Sequence, residues 1–448
     1  MLLSRRSFLQ QLAAGATVAP FVTRGLLAQS PNGRINHASF GAAGMAWADL
    51  TAIAKHPAVT IVAACDVDLN RTKQFREKFP EARVYQDYRE LLDKEKDLHT
   101  VNISTPDHMH ASIGMAAMQR GLHVYGQKPL AHDLHECRRL AEVAAEKKLV
   151  TQMGIQIHSN TEYRTAVKLV QDGAIGKVKE VHTWSSKAWG DTAPKPDKTD
   201  PVPEGLDWNL WLGVCAERPF IGGGWYHPGN WRKRLDFGTG TFGDMGCHIY
   251  DPVFGALALT APLSVRSEGA APNADSWAID AVIRYVFPGT PFTEGKTVAV
   301  TWYDGKQRPP AEIQQLALDP SAAADDKTNK LPDQGSIFIG TKGVMVLPHI
   351  GKPRLLGEAK ETTFEMVPGG DHWKQFIDAA MGEGKTSAHF GYAGPLTEAV
   401  LLGSVATRFP QTMMEWNAAA LKFSNVAEAN AFVRRDYRKG WETRGLSA

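Results

Sequence analysis

Along the first third of the chain, short continuous apolar runs alternate with longer stretches that are apolar on one side only. INHASF (35–40), VTIVAACD (59–66), LHTVNIST (98–105) and LHVYG (122–126) are the continuous runs, the pattern of strands covered on both faces. Between them, the turn Gly41-Ala42-Ala43-Gly44-Met45-Ala46 opens a predicted helix through Ala54. A second predicted helix over 111–120 stops at Gly121, a good C-terminal cap. Over 133–147, Leu134, Cys137, Leu140, Ala141 and Ala144 share one helical face. Strands alternating with helices predict an α/β class, with a doubly wound parallel sheet of Rossmann type over 34–155.

Past residue 155 the rhythm changes. A helix over 161–170, capped near Gly173, precedes the strand KVKEVHTWSS (177–186). Next comes a Pro/Gly/Trp-rich stretch, 185–240, far longer than ordinary connections and therefore a candidate functional loop. AIDAVIRYVF (278–287), TVAVTWY (297–303), SIFIGT (336–341) and VMVLP (344–348) follow with few helices between them. They predict an open, mostly antiparallel sheet with one ligand-facing side, so residues 156–448 are expected to form an α+β domain. Its helical region from about 372 is expected to pack back on the first domain.

Composition narrows the function classes. The chain has 448 residues, 43% apolar and 22% charged, the balance of a globular protein of two to three domains. No acid occurs in the first 28 residues, where Ser4-Arg5-Arg6-Ser7-Phe8-Leu9-Gln10 leads into an apolar run. That is a twin-arginine signal over 1–28, the address read by the export machinery that carries folded proteins. It predicts a periplasmic or secreted protein. Pro20, Thr23 and Arg24 interrupt the apolar run, so no stable membrane anchor is expected. Lys and Arg number 50 against 48 acids, and three of those arginines lie in the signal. A nearly neutral remainder gives no electrostatic case for binding nucleic acid. Cys65, Cys137, Cys215 and Cys247 are scattered in apolar surroundings and predict buried free thiols.

The Gly41 turn is also where chemistry begins. Measured against G-x-G-x-x-G, its positions are Gly41, Ala43 and Ala46, with an extra Gly44, between a strand and a helix. Asp66 ends the next strand, where a carboxylate accepts from ribose hydroxyls and repels a 2′-phosphate; Asp68 reinforces it. This favours NAD over NADP. STPDHMH (104–110), VYGQKPL (124–130) and GDMGCHIYD (243–251) complete the set. With these residues, the chain resembles the glucose–fructose oxidoreductase / inositol dehydrogenase / MocA (Gfo/Idh/MocA) family over nearly all of its length after the signal. It is most similar to the secreted twin-arginine branch with QKP in place of EKP.

The resemblance implies that NAD is held by Gly41, Ala43, Gly44, Met45, Ala46, Asp66, Thr105, Pro106, His110, Gln127 and Lys128. It implies that Lys128 sits beside the nicotinamide and hydrogen-bonds the substrate hydroxyl. Gln127 replaces the usual Glu and so removes a carboxylate that would raise the basicity of Lys128. Whether Lys128 is the main proton carrier or mainly an electrostatic group stays open. Asp244 and His248 stand i, i+4 on a predicted helix, so the carboxylate can orient the imidazole and support its charged form. The family pattern assigns this pair to substrate binding and proton transfer, and Lys128, His248 and Asp244 are the catalytic candidates. No metal is read, because Asp244, His248 and Asp251 make an incomplete ligand set and a hydride mechanism needs none.

The tract GGGWYHPGNWRKR (222–234) adds aromatic and basic groups suited to the apolar faces and hydroxyls of a sugar ring. Tyr226, His227, Trp231 and Arg232 are placed near substrate, with Gln156 and His158 toward the nicotinamide. The expected activity is NAD-dependent oxidation or reduction of a secondary hydroxyl on a sugar, glycoside or cyclitol. Export in folded form implies a tightly bound cofactor recycled in place. An NAD-dependent glycosidase working by oxidation, elimination and reduction, as in the similar α-N-acetylgalactosaminidases, is the alternative; a non-catalytic sugar-binding protein is the second. The resemblance also implies that 156–448 is the substrate and oligomerisation domain and that the protein forms homo-oligomers, dimers or tetramers.

Overall fold

The computed structural model describes residues 33–447 apart from 324, 327 and 328; the export signal read at 1–28 lies outside the described residues. The first sheet contains β1 (Ile35–Phe40), β2 (Val59–Cys65), β3 (Arg83–Tyr85), β4 (Thr100–Ile103), β5 (His123–Gly126) and β6 (Thr151–Met153). All pairs are parallel, in the order β3-β2-β1-β4-β5-β6. Chain direction across the sheet reverses between β1 and β4, which opens a crevice at their carboxyl ends. β3 and β6 were not read from the sequence; at three residues each they carry no periodic signal.

Helix α1 (Met45–Ile53) follows the glycine turn, and α2 (Asp107–Gln119) begins four residues earlier than the expected 111. Helix α3 (Leu134–Glu146) starts at a reciprocal cap in which Asp133 accepts from the Glu136 N–H and Glu136 accepts from the Asp133 N–H. Gly41 has φ +100°, and a Cβ there would stand 2.7 Å from the Ala46 Cβ and 2.8 Å from the Ser104 carbonyl oxygen. Turn, helix and β4 therefore meet at a point that only glycine permits.

The second sheet has nine strands: β7 (Val178–Ser185), β8 (Ser264–Ser267), β9 (Val282–Pro288), β10 (Thr297–Asp304), β11 (Gly335–Gly340), β12 (Val344–Pro348), β13 (Arg354–Leu356), β14 (Met414–Asn417) and β15 (Lys422–Phe423). Their order is β13-β12-β11-β7-β10-β9-β8-β14-β15, antiparallel except where β7 pairs with β10. Strand β9 shows the alternation clearly: Ile283, Tyr285 and Phe287 are buried and Arg284 is exposed. The four cysteines are buried free thiols.

Two late helices, α4 (His372–Ala380) and α5 (Phe390–Ala406), lie against the first domain. On α4, Asp378 pairs with His56 at 3.1 Å and the Trp373 indole donates to Asp49 of α1 at 2.9 Å. On α5, buried Glu398 accepts a two-pronged contact from Arg138 of α3, with Nη2 at 2.6 Å from Oε2. The long connection 185–240 is not featureless. It holds a helical turn at Trp208–Leu212, capped by Asp207, and reaches across to β2, where the Asp207 N–H donates to the Val67 carbonyl at 2.9 Å.

Candidate active site

A cavity of about 510 Å³ runs from the β1/β4 crevice to the edge of the second domain. Gly41, Ala43, Gly44 and Met45 line its first end, while Ala46 is fully buried behind the turn. Asp66 stands at the tip of β2, its Oδ2 accepting from the Ala42 N–H and its Oδ1 from the Asp68 N–H, both at 3.0 Å. Burial pushes its carboxyl up, with those N–H groups and Arg71 opposing. Each oxygen retains a lone pair for further donors. Thr105 and Pro106 line the same wall, and the Thr105 hydroxyl is buried without a hydrogen-bond partner among the described residues. His110 joins two loops, its Nδ1 at 2.7 Å from the Pro129 carbonyl and its Nε2 at 2.8 Å from that of Thr105. A cradle that excludes Cβ, a carboxylate at the ribose position and an unpaired hydroxyl fit a dinucleotide.

Gln127, Lys128 and Gln156 lie farther along the cavity. Beneath Gln127 is a hub: Asp49, fully buried, accepts from Gln127 Nε2 and Ser104 Oγ at 2.8 Å and from the Trp373 indole at 2.9 Å. The network continues inward from Ser104 to Asn102 (2.9 Å), to His37 (2.9 Å) and to Thr100 (2.9 Å). Burial drives the His37 imidazole down to about 4, so it serves there as a neutral donor and acceptor.

At the far end, Lys128 Nζ donates to Asp244 Oδ1 at 2.6 Å and to the Asp244 carbonyl at 3.0 Å. Asp244 Oδ2 accepts from the Trp189 indole at 2.7 Å, and Arg232 Nη1 lies 3.3 Å from Oδ1. Burial alone would raise the Asp244 carboxyl, but Lys128 and Arg232 outweigh it and hold the group well below the usual carboxylate range. Arg232 rests over Trp231, its guanidinium 4.4 Å from the ring centroid, and faces Asp107 at 3.6 Å. Asp107 is fixed by the Thr239 N–H (3.1 Å) and hydroxyl (2.7 Å).

The Asp244–His248 expectation is corrected. Phe242–Gly246 winds as a π-helical turn before the helical Cys247–Ile249, and both Asp244 oxygens are engaged by Lys128 and Trp189. No hydrogen bond joins Asp244 to the imidazole among the described residues. Burial, then the charges of Lys128 and His349, push His248 well below its ordinary value despite Asp244. The ring is neutral, and its Nδ1 is buried without a hydrogen-bond partner among the described residues.

Three further placements differ from expectation. Tyr226 is outside the cavity lining, packed in an aromatic group with Trp208, Trp211 and Phe237. His158 is also outside it, bonded to Asp251 at 2.9 Å, with Tyr392 on the same carboxylate at 2.5 Å. Desolvation lowers His158, but Asp251 more than compensates, so its value is raised. His227 does line the cavity, yet its Nε2 is bound to Asp68 at 2.9 Å, next to the nucleotide strand β2.

A profile described as the oxidoreductase family with an NAD-binding Rossmann fold matches residues 35–155. A second, the C-terminal α/β domain of the same family, matches 159–295. The chain belongs to the Gfo/Idh/MocA family. The first domain is thereby the family's NAD-binding domain, in agreement with the cofactor read from Asp66.

Curated Gfo/Idh/MocA relatives include levoglucosan dehydrogenase of Pseudarthrobacter phenanthrenivorans, 24% identical over 37% of this chain and 34% of its own. Inositol 2-dehydrogenase of Salmonella typhimurium is 30% identical over 28% of this chain and 37% of its own. The chain thus spans about a third of the length of the curated relatives it matches. Among solved structures, the WlbA dehydrogenase of Bordetella pertussis in complex with NADH and UDP-GlcNAcA superposes with TM-score 0.59 at 15% identity, covering 86% of this chain and 99% of that one. The aldose-aldose oxidoreductase of Caulobacter crescentus, complexed with glycerol, gives 0.57 at 15% identity, with coverage of 86% and 100%. At such identities the likeness is one of fold.

Sequence reasoning did not assign site roles to Trp189, Asp107 or Asp49. Trp189 falls in the Pro/Gly/Trp-rich stretch 185–240 and Asp107 in the quoted STPDHMH motif, so both are visible without a role. Asp49 lies inside α1 with no flanking pattern to mark it.

Proposed function

We propose that the protein is an NAD-dependent oxidoreductase acting on a secondary hydroxyl of a sugar, glycoside or cyclitol, with the cofactor kept bound and recycled in place. One observation carries this reading: Lys128, Asp244 and His248 gather in the same cavity as the dinucleotide turn. Gly41, Ala43, Gly44, Met45, Asp66, Thr105 and Pro106 would hold NAD, which when bound supplies a hydride acceptor. Lys128 donates to the substrate oxygen and stabilises negative charge developing there. Asp244, with Trp189 and Arg232 around it, fixes that ammonium in position. His248 lines the same cavity and would take the hydroxyl proton, which the Lys128 ammonium on the same oxygen makes more acidic. Trp231 and Arg232 offer an apolar face beside a hydrogen-bond donor for the ring. The names of the curated relatives specify levoglucosan and inositol, both polyhydroxylated rings.

The reading includes export through the twin-arginine pathway in folded, loaded form, supported by Arg5-Arg6 and the apolar run behind them. It also includes assembly as a homo-oligomer. Freshly purified protein, denatured and chromatographed, is expected to release about one NAD or NADH per chain. With glycosides deuterated at C2, one ketosugar per bound NAD is the expected product, with further turnover only when a second carbonyl sugar is present to take the hydride back; release of the aglycone with exchange of that deuterium would make the protein a glycosidase. Protein that contains no dinucleotide and takes none up would overturn the whole reading.

A further inference from the structure

We propose that two segments outside the Rossmann domain, the stretch 204–229 and the C-terminal tail 434–447, form a clasp across the adenosine half of the cavity that slows dissociation of the dinucleotide. The proposal rests on the NAD reading above and deepens it by naming the residues that would retain the cofactor.

The first arm is stitched to the tip of β2, the strand whose end carries Asp66. Leu69 N–H donates to the Gly205 carbonyl at 2.9 Å, and Asp207 N–H donates to that of Val67 at 2.9 Å. Gln86 Nε2 donates to both carbonyls, at 2.9 Å to Val67 and 3.0 Å to Gly205, and Asn70 Nδ2 donates to the Glu204 carbonyl at 2.6 Å. The arm closes on a hydrogen bond to a carboxylate: His227 Nε2 donates to Asp68 Oδ2 at 2.9 Å, with side chains only 16% and 12% exposed. The Trp211 indole donates to the other imidazole nitrogen at 3.3 Å. From this closure His227, Pro228 and Gly229 face the cavity.

The second arm is the tail. Trp441 lines the cavity together with Gln86, Asp87 and Tyr88, the residues that follow β3. Its ring is 7% exposed, with the Arg89 guanidinium 4.4 Å from the centroid. The tail is fastened to α2, where the Ser112 and Thr443 hydroxyls are 2.5 Å apart and Gln119 donates to the Arg444 carbonyl. With Arg438 5.1 Å from the same centroid, two guanidinium groups hold the indole where it lines the cavity.

The adenosine end is therefore bounded by the Rossmann strands on one side and by polypeptide from the other domain on the other. A dinucleotide seated there leaves only after hydrogen bonds within the protein open, so its release rate follows the stability of the clasp. Residues at the reacting end take no part in this.

The test is exchange of bound NAD for radiolabelled NAD in the full-length holoprotein, followed by filtration. His227→Leu, which keeps bulk and loses both ring nitrogens, and Trp441→Leu, which keeps an apolar side chain, are each expected to exchange at least about tenfold faster than wild type, the effect of one lost charge-assisted or cation–π contact. Thermal melts in saturating NAD check that both variants fold, and His227→Leu decides should Trp441→Leu fail to. Variants that exchange at the wild-type rate overturn the clasp and leave the NAD reading standing. A wild type that binds labelled NAD but exchanges it as fast as the variants also overturns the clasp. A wild type that neither contains nor binds NAD overturns the underlying reading.

Discussion

Replacing Gln127 by Glu tests the idea that Asp49 is the carboxylate supporting the lysine loop. Gln127 Nε2 donates to Asp49 Oδ2 at 2.8 Å, and both residues are buried. Glutamate has the same shape but puts an oxygen where the donor was. Two ionised carboxylates with centres about 4 Å apart repel by about 4 kcal/mol at an effective dielectric near 20. The lost hydrogen bond to a charged acceptor adds roughly 2 kcal/mol. Burial already raises the Asp49 carboxyl, against the pull of the Trp373, Gln127 and Ser104 donors, so a second acid drives the pair to keep one proton. The sign follows. The folded variant holds a proton that the unfolded chain releases above its ordinary carboxylate value near 4, so the deficit grows as pH rises and levels off above the raised folded value. Urea unfolding of wild type and Gln127→Glu between pH 5 and 8 should show a gap that widens with pH. Asp49→Asn combined with Gln127→Glu should close most of it. A gap equal at pH 5 and 8, or no gap, refutes the reasoning.

Other outcomes follow from the same geometry. His248→Ala should reduce turnover by about a hundredfold or more, measured by steady-state kinetics on protein with its dinucleotide bound. Asp244→Asn strands the Lys128 ammonium and should cost about 3–5 kcal/mol in denaturant unfolding at neutral pH. Because the Asp244 carboxyl is depressed in the fold, that pair stabilises above the ordinary carboxylate value and is lost as pH falls through the lower folded one, so variant and wild-type curves should converge in strong acid. Asp304 has the opposite sign: burial, only partly offset by the Trp302 indole and the Ala281 N–H, pushes its carboxyl up to about 7. It costs nothing below the unfolded value near 4 and its full amount above the folded one, so Asp304→Asn should flatten the stability profile between these limits.

The sheet class was legible because β1, β2, β4 and β5 are continuous apolar runs, whereas β3 and β6 are too short to show a period. Lys128, Asp244 and His248 were legible from their motifs and the family resemblance, but their partnerships were not. Local spacing pairs Asp244 with His248; the fold pairs it with Lys128, 116 positions away, because the π-helical turn and the β5 loop meet across the cavity. Tyr226 carried the same aromatic signal as Trp231, and only packing separates a core ring from a cavity wall. Asp49 and Trp441 lie in stretches whose local pattern says nothing about the groups that reach them from elsewhere in the chain.

The polar relay from Thr100 through His37, Asn102 and Ser104 to Asp49 bears on how this sheet can change over generations. An oily replacement at any single station strands the donor or acceptor of its neighbour in the dry interior. Viable lineages must therefore swap these positions in concert, and the footing of the lysine is inherited as a block.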